Sequence, residues 1–378
     1  MRAYTFLIIK FLIIHCSEAN KENDISSVLK ELLSNYEGRF RPNYREIEKP
    51  LLLNVSLHIN GLSNFRESDM DFDVSMNVKQ YWNDKRLAQN KHMSEITLSD
   101  EIAKQIWIPD TYIVNQKSIE VLSITDRNKF LRLSPNGDIS LSQKINAKLS
   151  CDMDLRNFPL DTQYCSINFE SYSYNGDEVD VNWKKVQPFT SSKVLKSRKF
   201  ENTNIEALKS TESFPGASYP KLILKFELKR LLSHYILNHY IPTTFIICLS
   251  WISFWINARF EISRTILAVS SFLAILVSSA NSYTPEADYV MALDVWNWVC
   301  IVFAFTVLIV HAFVVHFHHR SHATKKKDVS RDNPSFEELT IAESVNQSHY
   351  RQRIDRISRI AFPILFFIFL IIYSLAYL

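Results

Sequence analysis

Two cysteines, Cys151 and Cys165, have the type and spacing that offer the clearest covalent chemistry in this chain. Of the other three cysteines, Cys16 lies in an N-terminal signal-like segment, and Cys248 and Cys300 lie in apolar runs where they are expected to be buried thiols. A secreted segment folds in an oxidising compartment, where the remaining two cysteines can pair in only one way. We predict a disulfide that closes a small loop and stabilises the fold by about 3 kcal/mol.

Groupings that support catalysis or metal binding do not emerge from the sequence. Four histidines lie between residues 316 and 322, but no cysteine accompanies them and the stretch is basic, which favours a solvated segment over a metal site. With only five glycines the chain has no phosphate-binding loop, and no nucleophile is recognisable beside a base. The net charge of +3 gives no argument for a nucleic-acid partner. We therefore predict a protein that is not an enzyme and that uses no cofactor and no metal.

The extracellular half is predicted to be a β-sandwich that follows a signal peptide. Residues 1–19 have the basic, apolar and small-residue parts of a secretory signal, the alternative being a membrane anchor. Within residues 20–230, Asn54 begins a glycosylation sequon, and a bare asparagine is the alternative. The patterns in this half predict a helix over 25–33, strands over 55–59, 72–78 and 222–228, and a hairpin whose arms are 131–133 and 139–141. Short strands with turns between them indicate a sandwich.

Four apolar segments follow, and each is close to the roughly 20 residues that a helix needs to cross a bilayer. They span residues 234–256, 265–283, 295–315 and 360–378. Four crossings after a secreted N-terminus place both termini outside the cell. The linker over 316–359 is then cytoplasmic, as its excess of lysine and arginine requires, and we expect it to be mostly mobile with a helix near its end.

The second apolar segment differs from the others because serines and an asparagine interrupt its aliphatic residues. Hydroxyls at positions 263, 270 and 278, with Leu273 between them, fall on one helical face. Such a polar stripe either packs against neighbouring helices or lines water, and the sequence leaves both uses open.

The loop between Cys151 and Cys165 resembles the signature loop of the Cys-loop receptors, the pentameric ligand-gated ion channels. Thirteen residues separate the two cysteines, and they include Phe158, Pro159 and Asp161 in the family's order. Further blocks resemble the family in sequence order: Trp82 to Arg86, Trp107 to Asp110, Glu170 to Tyr174, Ser218 to Pro220, Lys229-Arg230 and Trp251 to Asn257. The last block and those at 170 and 218 resemble the GABA, glycine and invertebrate anion-channel branch. The resemblance implies a β-sandwich, four membrane helices and four other subunits in a pentamer.

The resemblance also implies a transmitter site between two subunits. Its principal side would comprise Tyr112, Glu170, Tyr172, Phe214 and Tyr219. Aromatic faces and a carboxylate suit an ammonium group, with core packing as the alternative for each aromatic; Trp107 in particular is expected to be structural. The ligand would be an amine or an amino acid.

The complementary side departs from the family, because Asn77 stands where an aromatic residue is common. Lys79, Arg132 and Ser142 match other positions of that face, and Lys79 or Arg132 could hold a ligand carboxylate. A solvated surface lysine is the alternative. The missing aromatic leaves open an unusual ligand or a subunit that uses only one face.

Coupling from the site to the gate is implied for Glu67, Asp161 and Arg230, together with Phe158 and Pro159 at the tip of the cysteine loop. A charge network of this kind can adopt two arrangements that a ligand biases. We expect the apolar, rigid loop tip to rest on the membrane helices.

The pore helix is expected over about 264–283, with Leu273 at a hydrophobic gate that blocks ions by dewetting. The resemblance places the following residues toward the pore: Glu261, Arg264, Ile266, Ser270, Leu273, Val277 and Ala280.

The cytoplasmic mouth of the pore departs from the anion-channel branch, which carries Pro-Ala-Arg there. This chain has Ile262-Ser263-Arg264, with Glu261 just before. A ring of arginines favours chloride, as the branch implies, whereas a ring of glutamates favours cations. A third reading, suggested by Asn77 and the bulky Ile266, is an accessory subunit that does not conduct alone. All three readings place a multi-pass protein in the lipid bilayer of the plasma membrane, with a postsynaptic location as one option.

Overall fold

The computed structural model describes residues 27, 29–46, 49–88, 95–123, 128–185, 189–191, 197–257, 260–282, 284–328 and 334–377. The expected signal peptide over residues 1–19 lies outside these ranges. The chain divides into two compact units. The first comprises Met1–Asp152 and Tyr164–Leu228, and the second comprises Met153–Gln163 and Lys229–Leu378.

The described part of the first unit is built mainly from two β-sheets. Their strands are β1 (Leu51–Arg66), β2 (Asp71–Asn83), β3 (Ile96–Leu98), β4 (Thr111–Ile113), β5 (Gln116–Val121), β6 (Lys129–Leu133), β7 (Asp138–Ser150), β8 (Thr162–Ser171), β9 (Val179–Trp183), β10 (Phe189–Ser191), β11 (Phe200–Phe214) and β12 (Ala217–Arg230). One sheet has the strand order β10-β1-β2-β7-β6-β3, with β5 also paired to β7 and β9 to β1. The other has the order β11-β12-β8-β4.

Alternating side chains explain why these segments form a sandwich. Every second residue of β1 from Leu53 to Ile59 is fully buried, as are Leu222, Leu224 and Phe226 of β12, while the residues between them are more exposed. Each such aliphatic side chain stabilises the fold by about 2 kcal/mol when it leaves water. The predicted sandwich and its three alternating strands are confirmed.

The predicted hairpin is also present, formed by β6 and β7. Leu133 pairs with Ile139 and Leu131 with Leu141. Gly137 takes a φ of +80° in the turn, where an added Cβ would lie 2.5 Å from the carbonyl oxygen of Asp84. The turn therefore requires glycine for both conformation and space.

Two short helices precede or separate the strands along the chain. Residues 29–34 form a helix, α1, which overlaps the predicted helix over 25–33 and ends one residue later, and α2 spans Asp100–Ala103. Tyr36, after α1, donates to Asp84 at 2.9 Å and accepts from the backbone N–H of Trp107 at 3.1 Å. Burial, with the charge of Asp84, raises the pKa of the Tyr36 hydroxyl, so it stays a donor at neutral pH.

The second unit is helical. Its helices are α3 (Ser233–Tyr235), a π-helical turn (Ile236–Tyr240), α4 (Ile241–Ile252), α5 (Glu261–Ala280), α6 (Ala292–Asp328) and α7 (Pro334–Tyr377). Among the described residues, three helical stretches are long and apolar enough to cross a membrane: Glu261–Ala280, Ala292–His316 and Gln352–Tyr377. The first predicted crossing corresponds to the run from α3 to α4.

Pro242 accounts for the interrupted first crossing. Proline lacks an N–H and clashes with the preceding turn, and the π-helical turn ends two residues before it. The hydroxyls of Thr243 and Thr244 donate to the carbonyls of His239 and Tyr240 at 2.8 and 2.6 Å. These bonds keep backbone groups of the turn satisfied, as a proline inside a membrane requires.

The helix ends differ from the sequence predictions. The predicted pore helix, α5, begins at Glu261 rather than 264 and ends at Ala280, while α6 and α7 extend far beyond the apolar stretches that predicted them. Apolar runs mark the membrane-crossing length, but a helix continues into polar sequence when its residues are good helix formers. The expected helix near the end of the linker is thus the start of α7, and the side chains of residues 317–349, which include most of the histidine cluster, lie outside the described part.

The helices pack around aromatic residues. Trp296 of α6 lies 6.2 Å from the ring of Phe366 and 5.5 Å from that of Tyr373, both on α7, and its indole N–H donates to Thr243 at 3.0 Å. Cys300 is fully buried in this core, as expected, whereas Cys248 is half-buried.

Candidate functional site

The disulfide between Cys151 and Cys165 is present, with the two Cα atoms 5.2 Å apart. Cys151 follows β7 and Cys165 lies in β8, so the bond joins a strand of each sheet. The predicted pairing is confirmed. The loop between the cysteines is consequently fixed at both ends.

Tyr112 and Glu170 form the centre of the principal group of residues. They face each other across the β4–β8 pair, and the Tyr112 hydroxyl donates to Glu170 Oε1 at 2.5 Å. Glu170 Oε2 is buried and has no hydrogen-bond partner among the described residues. A buried carboxylate oxygen without a donor is costly, so this oxygen is available to a cationic ligand.

The three other aromatic residues that were predicted for the principal side make two ring contacts. The ring of Tyr172 lies 5.5 Å from that of Tyr112 and edge-on to it, and Tyr172 is 75% exposed. Phe214 of β11, which is 56% exposed, lies 5.8 Å from Tyr219 of β12. Exposed aromatic residues on neighbouring strands are unusual for core packing and suit a cation.

The protonation of Tyr112 follows from this geometry. Burial, and next the hydrogen bond to Glu170, raise the pKa of the Tyr112 hydroxyl to about 12. Both causes disfavour the phenolate, so Tyr112 remains a donor to the carboxylate throughout the physiological range.

Asp110 is a residue of this site that the sequence reasoning did not single out beyond its motif. Its carboxylate accepts from the Ser171 hydroxyl at 2.6 Å and from the Ser173 N–H at 2.7 Å. These bonds hold the chain on both sides of Tyr172. Trp107, in contrast, is buried between Trp82 and Tyr174, which agrees with the structural role expected for it.

The complementary residues lie on one face of the larger sheet. Lys79 of β2 pairs with Ser142 of β7, which pairs with Phe130 of β6, so the three side chains lie in one row. Arg132 is two residues from Phe130, on the same face, with its guanidinium 5.0 Å from the Phe130 ring centre and 4.0 Å from Glu95. Ser142 is buried, whereas Arg132 and Phe130 are exposed.

Phe130 supplies an exposed aromatic ring on the face where Asn77 lacks one. Sequence reasoning missed it because the lone phenylalanine in Lys129–Leu133 reads as an ordinary strand residue. Its register opposite Ser142 is the signal that places it beside the predicted residues. Asn54 also lies on this face, since β1 pairs it with Tyr81, which is two residues from Lys79.

Asp161 and Arg230 form a buried, bidentate ion pair in the second unit. Arg230 Nε and Nη2 donate to the two Asp161 oxygens at 2.7 and 3.0 Å. The guanidinium also lies 4.6 Å from the ring of Phe158, which is fully buried and edge-on to Tyr235 at 5.2 Å. Gln163 donates to Asp161 as well. The pair therefore links the cysteine loop to the chain that enters the first membrane helix.

The cysteine loop also contacts the start of α6 and the segment that precedes it. The N–H groups of Ala292 and Leu293 donate to the carbonyls of Arg156 and Phe158 at 2.9 and 3.1 Å, and the Tyr289 hydroxyl accepts from the N–H of Leu155 at 2.9 Å. The expected contact of the loop with the helical part is present. Pro159 follows Phe158 at the loop tip through a cis peptide bond.

Glu67 lies in the first unit and is fully buried. It accepts from Lys199 Nζ at 2.8 Å. Its expected role beside Asp161 and Arg230 stays a prediction.

Helix α5, the predicted pore helix, has one buried and one exposed face. Arg264, Ala268, Ser271 and Ile275 are buried against the unit's own helices. At about 100° per residue, Ile262, Ile266, Ser270, Leu273, Val277 and Ala280 fall on the opposite face, and all are exposed. Ser271 thus packs inside the unit while Ser270 is exposed, and the lining of water by the exposed serines stays a prediction.

Arg264 departs from its expected place among the pore residues. Its guanidinium donates to both oxygens of Asp355 on α7, at 2.6 and 3.2 Å, and only 2% of the residue is exposed. A paired, buried arginine is directed away from the exposed face because its charge needs the carboxylate. Glu261 remains in the first turn of α5, half-buried.

Two protein-family models match this chain, one in its N-terminal half and one in its C-terminal half. The model of the neurotransmitter-gated ion-channel ligand-binding domain matches residues 25–232, and that of the neurotransmitter-gated ion-channel transmembrane region matches residues 239–352.

Two curated relatives are similar over most of the chain. The gamma-aminobutyric acid receptor subunit beta-4 of Gallus gallus is 32% identical over 344 residues, which cover 88% of this chain and 70% of the relative. The gamma-aminobutyric acid receptor subunit beta of Caenorhabditis elegans is 34% identical over 296 residues, covering 77% of this chain and 54% of the relative. The chain thus spans about half of the second relative.

Proposed function

Since this chain belongs to the family of neurotransmitter-gated ion channels, we propose that it is one subunit of a pentamer whose chloride pore opens when an amine or amino-acid transmitter binds between subunits. In this proposal residues 20–230 are extracellular, residues 316–359 are cytoplasmic and both termini lie outside a plasma membrane, which can be postsynaptic. The observation that carries the ligand class is the Tyr112–Glu170 pair, with its one unpartnered carboxylate oxygen.

An ammonium group fits the principal side because charge and aromatic surface coincide there. Glu170 Oε2 accepts from the ammonium, and the exposed rings of Tyr172 and Phe214 present their faces to its charge. On the other subunit, Lys79 and Arg132 offer cations for a carboxylate, with Ser142 as a further hydrogen-bonding group. An amino-acid transmitter uses both sides, whereas a simple amine uses only the first.

Chloride is supported by the GABA receptor subunits among the relatives and by the resemblance to the anion-channel branch. The N-terminus of α5 adds a partial positive charge at the mouth. Arg264 does not strengthen this argument, because Asp355 balances its charge.

Cation conduction is the second candidate function, and Glu261 is the observation that favours it. This residue is the acidic side chain in the first turn of α5, and five copies would form an acidic ring near the mouth. A third candidate is an accessory subunit that does not conduct alone, and it is supported by Asn77 at a position where an aromatic residue is common.

The test is expression of the full chain in oocytes with a screen of transmitters and pH. GABA, glycine, glutamate, acetylcholine, monoamines and protons are applied, and the reversal potential is measured under chloride replacement and then sodium replacement. A reversal potential that shifts only when chloride is replaced supports the proposal. One that shifts only when sodium is replaced supports the cation channel instead. If the channel conducts chloride, Glu261→Gln should leave the reversal potential unchanged. If it conducts cations, the same substitution should shift the reversal potential. A chain that reaches the surface but stays silent with every ligand favours the accessory subunit.

A further inference from the structure

A cavity lies inside the β-sandwich, with Tyr112 in its wall. Its volume is about 190 Å³, and both sheets contribute to its wall. Ile119 and Val121 of β5 form its rim and are partly exposed, so the cavity opens beside that strand. Residues of β2, β4, β7 and β8 form the rest of the wall, and they include Gln80, Thr111 and Tyr112.

The lining defines the chemistry of an occupant. No wall residue carries a formal charge at neutral pH, and most are aliphatic or aromatic. A charged molecule would lose its hydration there without an ion partner, so the cavity excludes ions. An apolar cavity of about 150 Å³ holds benzene in another protein, so this one has room for a single small ring with one substituent.

Gln80 supplies the polar contact. The residue is buried, and its Nε2 donates to the Thr111 hydroxyl at 2.8 Å, whereas its Oε1 has no hydrogen-bond partner among the described residues. A buried amide with one unsatisfied end favours a ligand that completes it. A hydroxyl group suits either orientation of the amide because it both donates and accepts.

We propose that this cavity is a binding site for a small uncharged molecule with an apolar ring and one hydroxyl group, of the size of phenol. The hydroxyl bonds to Gln80, and the ring contacts the aliphatic wall. Because Tyr112 is itself a wall residue, an occupant contacts the residue whose hydroxyl holds Glu170. The site is therefore placed to modulate transmitter binding without overlapping the ammonium position.

The experiment uses an introduced thiol at the rim of the cavity in the purified full-length protein. Val121→Cys is treated with a methanethiosulfonate reagent, and the modification rate is measured with and without phenol, with the wild-type protein as the background for Cys248 and Cys300. Glu120→Cys is the matched control, because successive side chains of a strand point to opposite faces. We expect phenol to slow modification of Val121→Cys severalfold and to leave Glu120→Cys unchanged.

Specificity for the hydroxyl is tested with toluene, which has the ring but no hydroxyl. In the Val121→Cys background, half-protection should need about tenfold more toluene than phenol, the factor of one hydrogen bond. Adding Gln80→Leu should weaken the binding of phenol, so that phenol and toluene give half-protection at similar concentrations.

Two outcomes overturn the proposal: no protection by either compound, or equal protection by phenol and toluene with Gln80 in place. The toluene comparison needs no change at Gln80, so a Gln80 variant that fails to fold leaves the test intact. Labelling requires no current, and a failure of the proposed channel function is thus distinguished from a failure of this site.

Discussion

Arg264 and Asp355 are joined by two hydrogen bonds, of 2.6 and 3.2 Å, between the first turn of α5 and α7. Both side chains are buried, and the two residues lie 91 positions apart. On α7, Arg359 also donates to the carbonyl of Phe254 at 3.0 Å. The last helix is thus joined to the first turn of α5 through Asp355 and to the segment that follows α4 through Arg359.

Loss of Asp355 should destabilise the helical unit strongly. Asp355→Asn leaves the buried guanidinium of Arg264 without its countercharge, and breaking such a pair by removing one partner costs about 3 to 5 kcal/mol. We expect a clearly lower midpoint of thermal unfolding for the purified protein and less protein at the cell surface.

A double variant separates the pair from other effects of the substitution. Arg264→Gln combined with Asp355→Asn removes both charges and should be more stable than Asp355→Asn alone. Arg353→Gln, at an exposed position of the same helix, should unfold like the wild type. An Asp355→Asn protein as stable as this control would show that the ion pair contributes nothing.

Tyr112→Phe should weaken the response to transmitter. The substitution removes the hydroxyl that holds Glu170 Oε1, and the carboxylate is then less well positioned for an ammonium group. We expect the half-maximal transmitter concentration to rise about threefold to tenfold, the range expected for one hydrogen bond. Tyr164→Phe, at an exposed tyrosine of β8, is the matched control and should leave the response unchanged.

The effect of Tyr112→Phe should not depend on pH between about 6.5 and 9. The pKa of Tyr112 is raised to about 12, so the hydroxyl is protonated over this whole range and is lost only in much stronger alkali. Dose–response curves at several pH values give the half-maximal transmitter concentration of the variant and of the wild type, and the ratio of the two is compared across pH. A ratio that falls toward one by pH 9 would mean that the hydroxyl titrates and that its bond to Glu170 is not as described.

Most of the fold could be predicted from local sequence patterns, whereas the remaining features depend on partners that are distant in the sequence. The alternation in β1 and β12 and the glycine of the 131–141 hairpin have local causes, so the strands could be predicted without the structure. The burial of Arg264 could not be predicted in this way, because it depends on Asp355 of α7, which lies 91 residues later in the sequence.

The candidate transmitter site shows the same division. Its exposed aromatic residues could be predicted from sequence motifs. Phe130 could be placed at the site only from its strand register with Ser142 and Lys79. Helix ends were also hard to predict, since α6 and α7 continue well past their apolar segments.

Arg230→Ala should abolish currents while the protein still reaches the cell surface. Arg230 joins Asp161 and the ring of Phe158, so its removal disconnects the cysteine loop from the chain that begins the first membrane helix. Current and surface labelling are measured on the same cells. Arg230→Lys, which keeps the charge but not the two-pronged geometry, should retain a reduced response. Normal currents from Arg230→Ala would remove this pair from the coupling pathway.

Leu273→Thr should produce a channel that opens more easily. Leu273 lies on the exposed face of α5 with 53% of its surface accessible, opposite the buried Ala268 and Ile275. A ring of leucines excludes water from a closed pore, and five threonines make that constriction wettable. We expect a standing current without transmitter and a several-fold lower half-maximal concentration. Leu276→Thr, the same change about 60° around the helix, should have a much smaller effect. Equal effects of the two substitutions, or a silent Leu273→Thr channel at normal surface density, would place the gate elsewhere.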